Sequence, residues 1–166
     1  IAAGAFVCSV FSGPFGRVRR QGLGIERAIV VYGAAIGLFG LALAAAALGW
    51  FAPAVVDEDH PNLVMIGVAM LALAIAGAAD NVSSIFRNTM VQAAVPDAIR
   101  GRLQGIFIVV VTGGPRLGAL YAGTLATFAA LWFPPLLGGL VIIGLTATLV
   151  RLSPRFRAYD AEHPEP

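Results

Sequence analysis

The chain has 166 residues, 58% of them hydrophobic and only 12% charged, where a soluble domain carries roughly a quarter, and its mean hydropathy is +0.85. That balance excludes an ordinary water-soluble domain and makes the lipid bilayer the first partner. The net charge of +2 sets eleven basic residues, all arginine, against nine acids; with no basic patch interleaved with aromatics, they read as membrane-surface anchors and exclude a nucleic-acid partner.

The chain opens at Ile1 in an apolar run, 1–11, that reaches only about 16 Å as a helix, half a hydrocarbon core. It reads as the end of a cut helix in a C-terminal fragment. Arginines follow this run instead of preceding it, unlike a signal peptide. Cys8, the single cysteine, excludes an internal disulfide and reads as a small packing residue. A loop at 12–24, SGPFGRVRRQGLG, clusters Arg17, Arg19 and Arg20. The run 28–50 is then long enough to span, with Trp50 at its far end as an interfacial aromatic. Gly33 and Gly37, four apart, give it a smooth stripe for close approach of another helix.

Pro53 and the run Asp57-Glu58-Asp59-His60-Pro61 form a loop with three acids and no arginine. Carboxylates and an imidazole are metal ligands, but four adjacent loop positions rarely converge on one ion. The loop therefore reads as a solvated hairpin, and no metal or cofactor is assigned. From 63 to 94 the pattern predicts one helix of about 50 Å against a core of about 30 Å, so its last turns protrude. Asp80, Ser84, Arg87 and Asn88 lie three, four and seven apart and share one face of it, the candidate substrate and coupling face. Asn81-Val82-Ser83 matches a glycosylation acceptor, but inside a membrane helix no glycosyl donor reaches it.

Val95-Pro96-Asp97 turns the chain, since proline pushes the residue before it out of the helical region. Arg100, Gly101 and Arg102 open a further helix, read as 102–130. Gly114, Gly118 and Gly123 give that helix a small-residue packing stripe, with Pro115 and Arg116 inside its apolar run. Counting from the flanking aromatics puts Arg116 and Asp80 each about one turn inside the same boundary. Three readings stay open: Arg116 snorkels to the interface, it pairs with Asp80, or Asp80 titrates in proton coupling under Arg87 or Arg116. A last span, 136–150, follows Leu131-Trp132-Phe133-Pro134-Pro135, and the polar stretch 153–166 reads as a disordered tail. No histidine lies in a span and there is no Ser-His-Asp set or phosphate loop, so no enzyme is expected.

Arg87-Asn88-Thr89, Gln92, Val95-Pro96-Asp97 and Arg100-Gly101-Arg102 together resemble the major facilitator superfamily, within its bacterial enterobactin-exporter and multidrug-efflux branch. The loop at 12–20 is similar to a superfamily loop motif, without its aspartate. The resemblance implies an all-α membrane protein forming part of a six-helix half-bundle, from the end of helix 8 through helix 12. It further implies a missing N-terminal half, a small-molecule substrate near the midplane and halves that rock around it. The alternative class is a non-transporting helical scaffold or assembly subunit.

Arginines mark the loop at 12–24, the turn near Arg100 and the tail, while the two opposite connections have none. The positive-inside rule then places the arginine side and the C-terminus in the cytoplasm of a multi-pass inner-membrane protein. Reporter fusions after Pro166 and within 12–24 are expected to score cytoplasmic and one at Glu58 periplasmic; a cytoplasmic score at Glu58 overturns the span assignment.

Overall fold

The computed structural model describes residues 1–10, 21–50, 63–95 and 97–152. The arginine loop at 11–20, the acidic loop at 51–62, Pro96 and the tail at 153–166 lie outside the described residues. Among those described the chain is all-helical, without strands, in five helices: α1 (Ala2–Val10), α2 (Gln21–Ala47), α3 (Leu63–Ala94), α4 (Asp97–Phe128) and α5 (Phe133–Leu152). Four of them, α2 to α5, are long and apolar enough to cross a membrane, which makes this a multi-pass membrane protein.

The helix ends follow local chemistry. α2 begins at Gln21, seven residues before its apolar run, because nothing from Gln21 onward breaks a helix. It stops at Gly49, whose φ of 69° is open to glycine. There the Gly49 and Trp50 amides donate to the Ala46 and Ala45 carbonyls, each at 3.1 Å, a pairing that satisfies the last carbonyls of a helix. α4 likewise starts earlier than its apolar pattern, at Asp97, and the Arg100 side chain donates back to the Val95 carbonyl at 3.3 Å. α5 starts at Phe133 and places Pro134 and Pro135 in its first turn, where no amide partner is needed. Trp132 and Phe133 meet edge to face at this end, with ring centroids 6.0 Å apart.

α2 is the central helix, with α3 on one side and α5 on the other; α1 lies against α3, and among the described residues the extensive contact of α4 is with α5. Lipid is as apolar as leucine, so membrane helices gain by close packing and not by escape from solvent. Small residues make that possible here. On α3 the positions Ala72, Ala76, Ala79, Ser83 and Phe86 are buried at alternating offsets of four and three, a seam of one helix against another. Phe86 fills a hollow that exists only because residue 24 is glycine: a Cβ there would come within 2.7 Å of the ring.

The α2–α5 contact is tighter still. A Cβ on Gly139 would sit 2.6 Å from the Gly33 carbonyl oxygen and 2.7 Å from the Gly37 amide nitrogen, and one on Gly40 would sit 2.6 Å from the Leu136 nitrogen. Gly33 faces Ile142 and Ile143 as well as Gly139. Gly37 contributes its backbone to this contact, while its own Cβ direction points into open space. α1 meets α3 in the same manner, since a Cβ on Gly4 would overlap the Ala74 carbonyl and one on Gly77 the Ile1 carbonyl.

The small-residue stripe expected on α4 meets no neighbour among the described residues. A Cβ added at Gly114, Gly118 or Gly123 would meet nothing within 4 Å, and none of its spanning window is buried. The reason is connectivity: α4 is tied to the bundle through its turn with α5 and shares no packed face with α3. Substitutions at the two kinds of glycine should therefore move stability in opposite directions. Gly139→Ala is expected to lower thermal stability in detergent by an overpacking cost of about 1–3 kcal/mol. Gly118→Ala should leave it unchanged or raise it by up to about 1 kcal/mol through helix propensity; equal losses in both would show that α4 is packed as tightly as α2.

Candidate functional site

The polar face of α3 carries Asp80, Ser84, Arg87 and Asn88. Ile1 sits against Gly77, and three residues further along α3 the Asp80 side chain is 64% exposed. One turn and then two turns on, Ser84, Arg87 and Asn88 follow on the same side.

These side chains engage one another along the helix. An Arg87 terminal nitrogen lies 3.5 Å from an Asp80 carboxylate oxygen, a reach of seven residues that spans two turns. The Arg87 Nε donates to the Ser83 carbonyl at 3.3 Å, which holds the guanidinium along the helix. The Asn88 amide donates to the Ser84 hydroxyl at 3.5 Å. Both pairs are long, single contacts, so they orient the groups without locking them. The result is a carboxylate, a guanidinium, a hydroxyl and an amide on two turns of one helix, with Asp80 and Asn88 exposed and Ser84 and Arg87 half-buried.

Asp80 and Arg116 do not meet. The carboxylate is held by Arg87, on its own helix, and α3 and α4 share no packed face that would bring Arg116 across. Among the described residues Arg116 is exposed and makes no ion pair. At the turn, Arg100, Gly101 and Arg102 lie in the first turns of α4 and are exposed, Asp97 is its first residue, and Pro96 lies outside the described residues. Among the described residues no group of three or more His, Cys, Asp or Glu side chains is placed to hold a metal ion; the acidic loop with His60 lies outside them.

Sequence reasoning passed over three residues. Tyr32 on α2 is half-buried and within electrostatic reach of Asp80, which makes it the neighbouring helix's contribution to this face. Its one visible signal is a hydroxyl inside an apolar run. Ser83 is only 2% exposed, and its hydroxyl, like the Asn81 side-chain oxygen, has no hydrogen-bond partner among the described residues. The signal for Ser83 was its offset of four from Ala79 and three from Phe86, on the packed seam and not on the polar face. No protein-family model, no curated protein and no solved structure matches the chain.

The orphaned hydroxyl gives a direct test. A buried polar atom without a partner carries a desolvation penalty of about 1–3 kcal/mol, and alanine fits a seam already built of alanines. Ser83→Ala is expected to equal or exceed the original melting temperature, whereas a clear drop would mean that the hydroxyl is bonded in the folded protein.

Proposed function

We propose that this chain is the C-terminal part of a secondary active transporter of the inner membrane, a proton-coupled exporter of small amphiphilic molecules such as siderophores or drugs. The observation that carries the reading is the polar face of α3, where Asp80 and Arg87 form an ion pair within a helix long enough to span. Ionisable groups inside membrane helices are rare and mark ion or substrate paths, because lipid gives them no solvation. The loose Asp80–Arg87 contact suits coupling: a carboxylate that takes up a proton must be able to leave its counter-ion. Ser84 and Asn88 add neutral hydrogen-bonding groups for a polar part of the cargo, and Arg116 on α4 is a second cation at related depth. The residue pattern around the α3–α4 turn adds the resemblance to the major facilitator superfamily, whose halves rock about a central site.

A non-transporting scaffold is the second reading, and the bare surface of α4 favours it, since an assembly subunit needs a helix free for contact. The two separate on genetics and transport. The exporter reading expects at least six further apolar spans encoded upstream of Ile1. With the whole reading frame expressed in an efflux-deficient bacterium, Asp80→Asn is expected to leave the amount of membrane-inserted protein unchanged while abolishing pH-driven efflux of a fluorescent amphiphile. Undiminished efflux in that variant removes Asp80 from coupling, and no efflux by the intact protein leaves the scaffold.

A further inference from the structure

We propose that Tyr32 of α2 positions Asp80, donating its phenolic hydrogen to the carboxylate across the groove between α2 and α3. Gly24, near the start of α2, lies against Phe86, near the end of α3, and these two helices share the most extensive contact in the bundle, so they run antiparallel. Tyr32 comes eight residues after Gly24 and Asp80 six before Phe86, about 12 Å and 9 Å from that contact in the same direction. Side chains lean toward the N-terminus of their own helix, which carries the phenol and the carboxylate toward one another along the groove.

Both project to the same side of that contact. Counted from Gly24 at about 100° per residue, the buried Ala28 and Ala35 of α2 lie within about 40° and the α5-facing Gly33 and Gly40 at about 160–180°. The exposed Arg27, Val31, Ala34 and Leu38 fill the arc from about 280° to 340°. Tyr32, at about 80°, therefore stands on the inner side of α2, between its two neighbours. On α3 the buried positions 72, 76, 79, 83 and 86 spread about 40° either side of one direction, and Asp80 lies about 80° round from it, with the exposed Leu71 and Ile75 on the opposite flank. Antiparallel helices wind in opposite senses when viewed from one end, so displacement in the same sequence sense brings Tyr32 and Asp80 to one flank of the contact. The lipid-exposed residues of both helices share the other flank. The phenol lies within electrostatic reach of the carboxylate, as this placement requires.

The chemistry of the two groups is complementary. An ionised carboxylate accepts about four hydrogen bonds, and Asp80 has a single long contact, 3.5 Å to Arg87. The Tyr32 hydroxyl makes no hydrogen bond among the described residues, and a phenol inside a span calls for an acceptor. Other groups at this level are engaged or turned elsewhere: the Thr146 hydroxyl of α5 donates to the Ile142 carbonyl at 2.7 Å, while Glu26 and Arg27 project about 120° and 140° round α2 from Tyr32. Helix axes packed on alanines lie toward the short end of about 8–10 Å, a gap that a phenol spans by side-chain rotation alone. The bond gives Asp80 a partner on α2 that stays when Arg87 lets go, so the carboxylate keeps its place while its counter-ion changes. This assignment depends on the α2–α3 packing and not on transport.

The test reads the bond itself. The full chain carrying Tyr121→Phe and Tyr159→Phe, which leaves Tyr32 as its one tyrosine, is made with isotope-labelled tyrosine and reconstituted in nanodiscs at neutral pH. The infrared C–O stretch of the labelled phenol reports whether its hydroxyl donates, a property that mere packing of the ring does not set. The band is expected at the position of a phenol donating to a carboxylate. Asp80→Ala should move it to that of a phenol without an acceptor, Asp80→Glu should keep the donor band, and Arg87→Gln should leave that band in place, because the bond does not run through the guanidinium. A non-donating band in the parent chain, or a band that Asp80→Ala leaves unmoved, overturns the assignment. Should Asp80→Ala fail to reconstitute, the isosteric Asp80→Asn decides: the band must shift toward weaker donation, since an amide oxygen is a poorer acceptor than a carboxylate, and an unshifted band overturns the assignment equally.

Discussion

The arrangement depends on backbone-to-backbone approach at the two faces of α2. Membrane helices of this kind are held by dispersion contacts and interhelical fit, each small and all short-ranged. Gly33, Gly37 and Gly139 let α2 and α5 come together at main-chain distance, and Gly24 with Ala28 and Ala35 lets α3 settle against the opposite side. One aromatic ring, Phe86, is accommodated on that second face. Because the packed seam of α3 takes the positions 72, 76, 79, 83 and 86, its polar residues at 80, 84 and 87 are turned out of the seam by the same helical period. Packing of small residues thus decides where the charges point.

Polar groups in this chain divide by how they are satisfied. All six threonine hydroxyls fold back on carbonyls of their own helix, among them Thr89 on Ile85 at 2.9 Å, Thr124 on Leu120 at 2.7 Å and Thr146 on Ile142 at 2.7 Å. That is the cheapest solution in hydrocarbon, because it needs no second helix. The residues at and beside the polar face behave otherwise: Asp80 and Arg87 use one another, Asn88 uses Ser84, and Asn81 keeps an unpartnered oxygen. Hydrogen-bonding capacity left over on one stretch of one helix is what separates a site from a span.

Much of the fold was legible because membrane helices announce themselves by length. The runs ending at Trp50 and beginning at Leu63 needed only the match between about 20 apolar residues and the hydrocarbon core. The face shared by Asp80, Ser84, Arg87 and Asn88 was legible too, since it follows from the helical period within one element. What could not be read was which helix lies beside which. Apolar periodicity is weak when all sides of a helix are oily, so nothing in the sequence said that α3 packs on α2 and not on α4. For that reason the depth count that placed Asp80 level with Arg116 carried no information about lateral position. Glycine spacing failed in the same way: Gly33 and Gly114 each sit in small-residue stripes, yet one meets a neighbour and the other meets none.

α4 shows why such a helix persists without a packed face. A membrane helix closes its own backbone hydrogen bonds, and that alone makes it stable in hydrocarbon before any partner arrives. The exception along α4 is Pro115, which has no N–H to give to the Val111 carbonyl. The break lies beside two glycines and is followed at once by Arg116, so backbone permissiveness, a missing amide donor and a cation coincide within one turn. None of the three is favoured in a lipid-facing helix. All three fall within one turn of α4, at a position set by the sequence and independent of how α4 is packed.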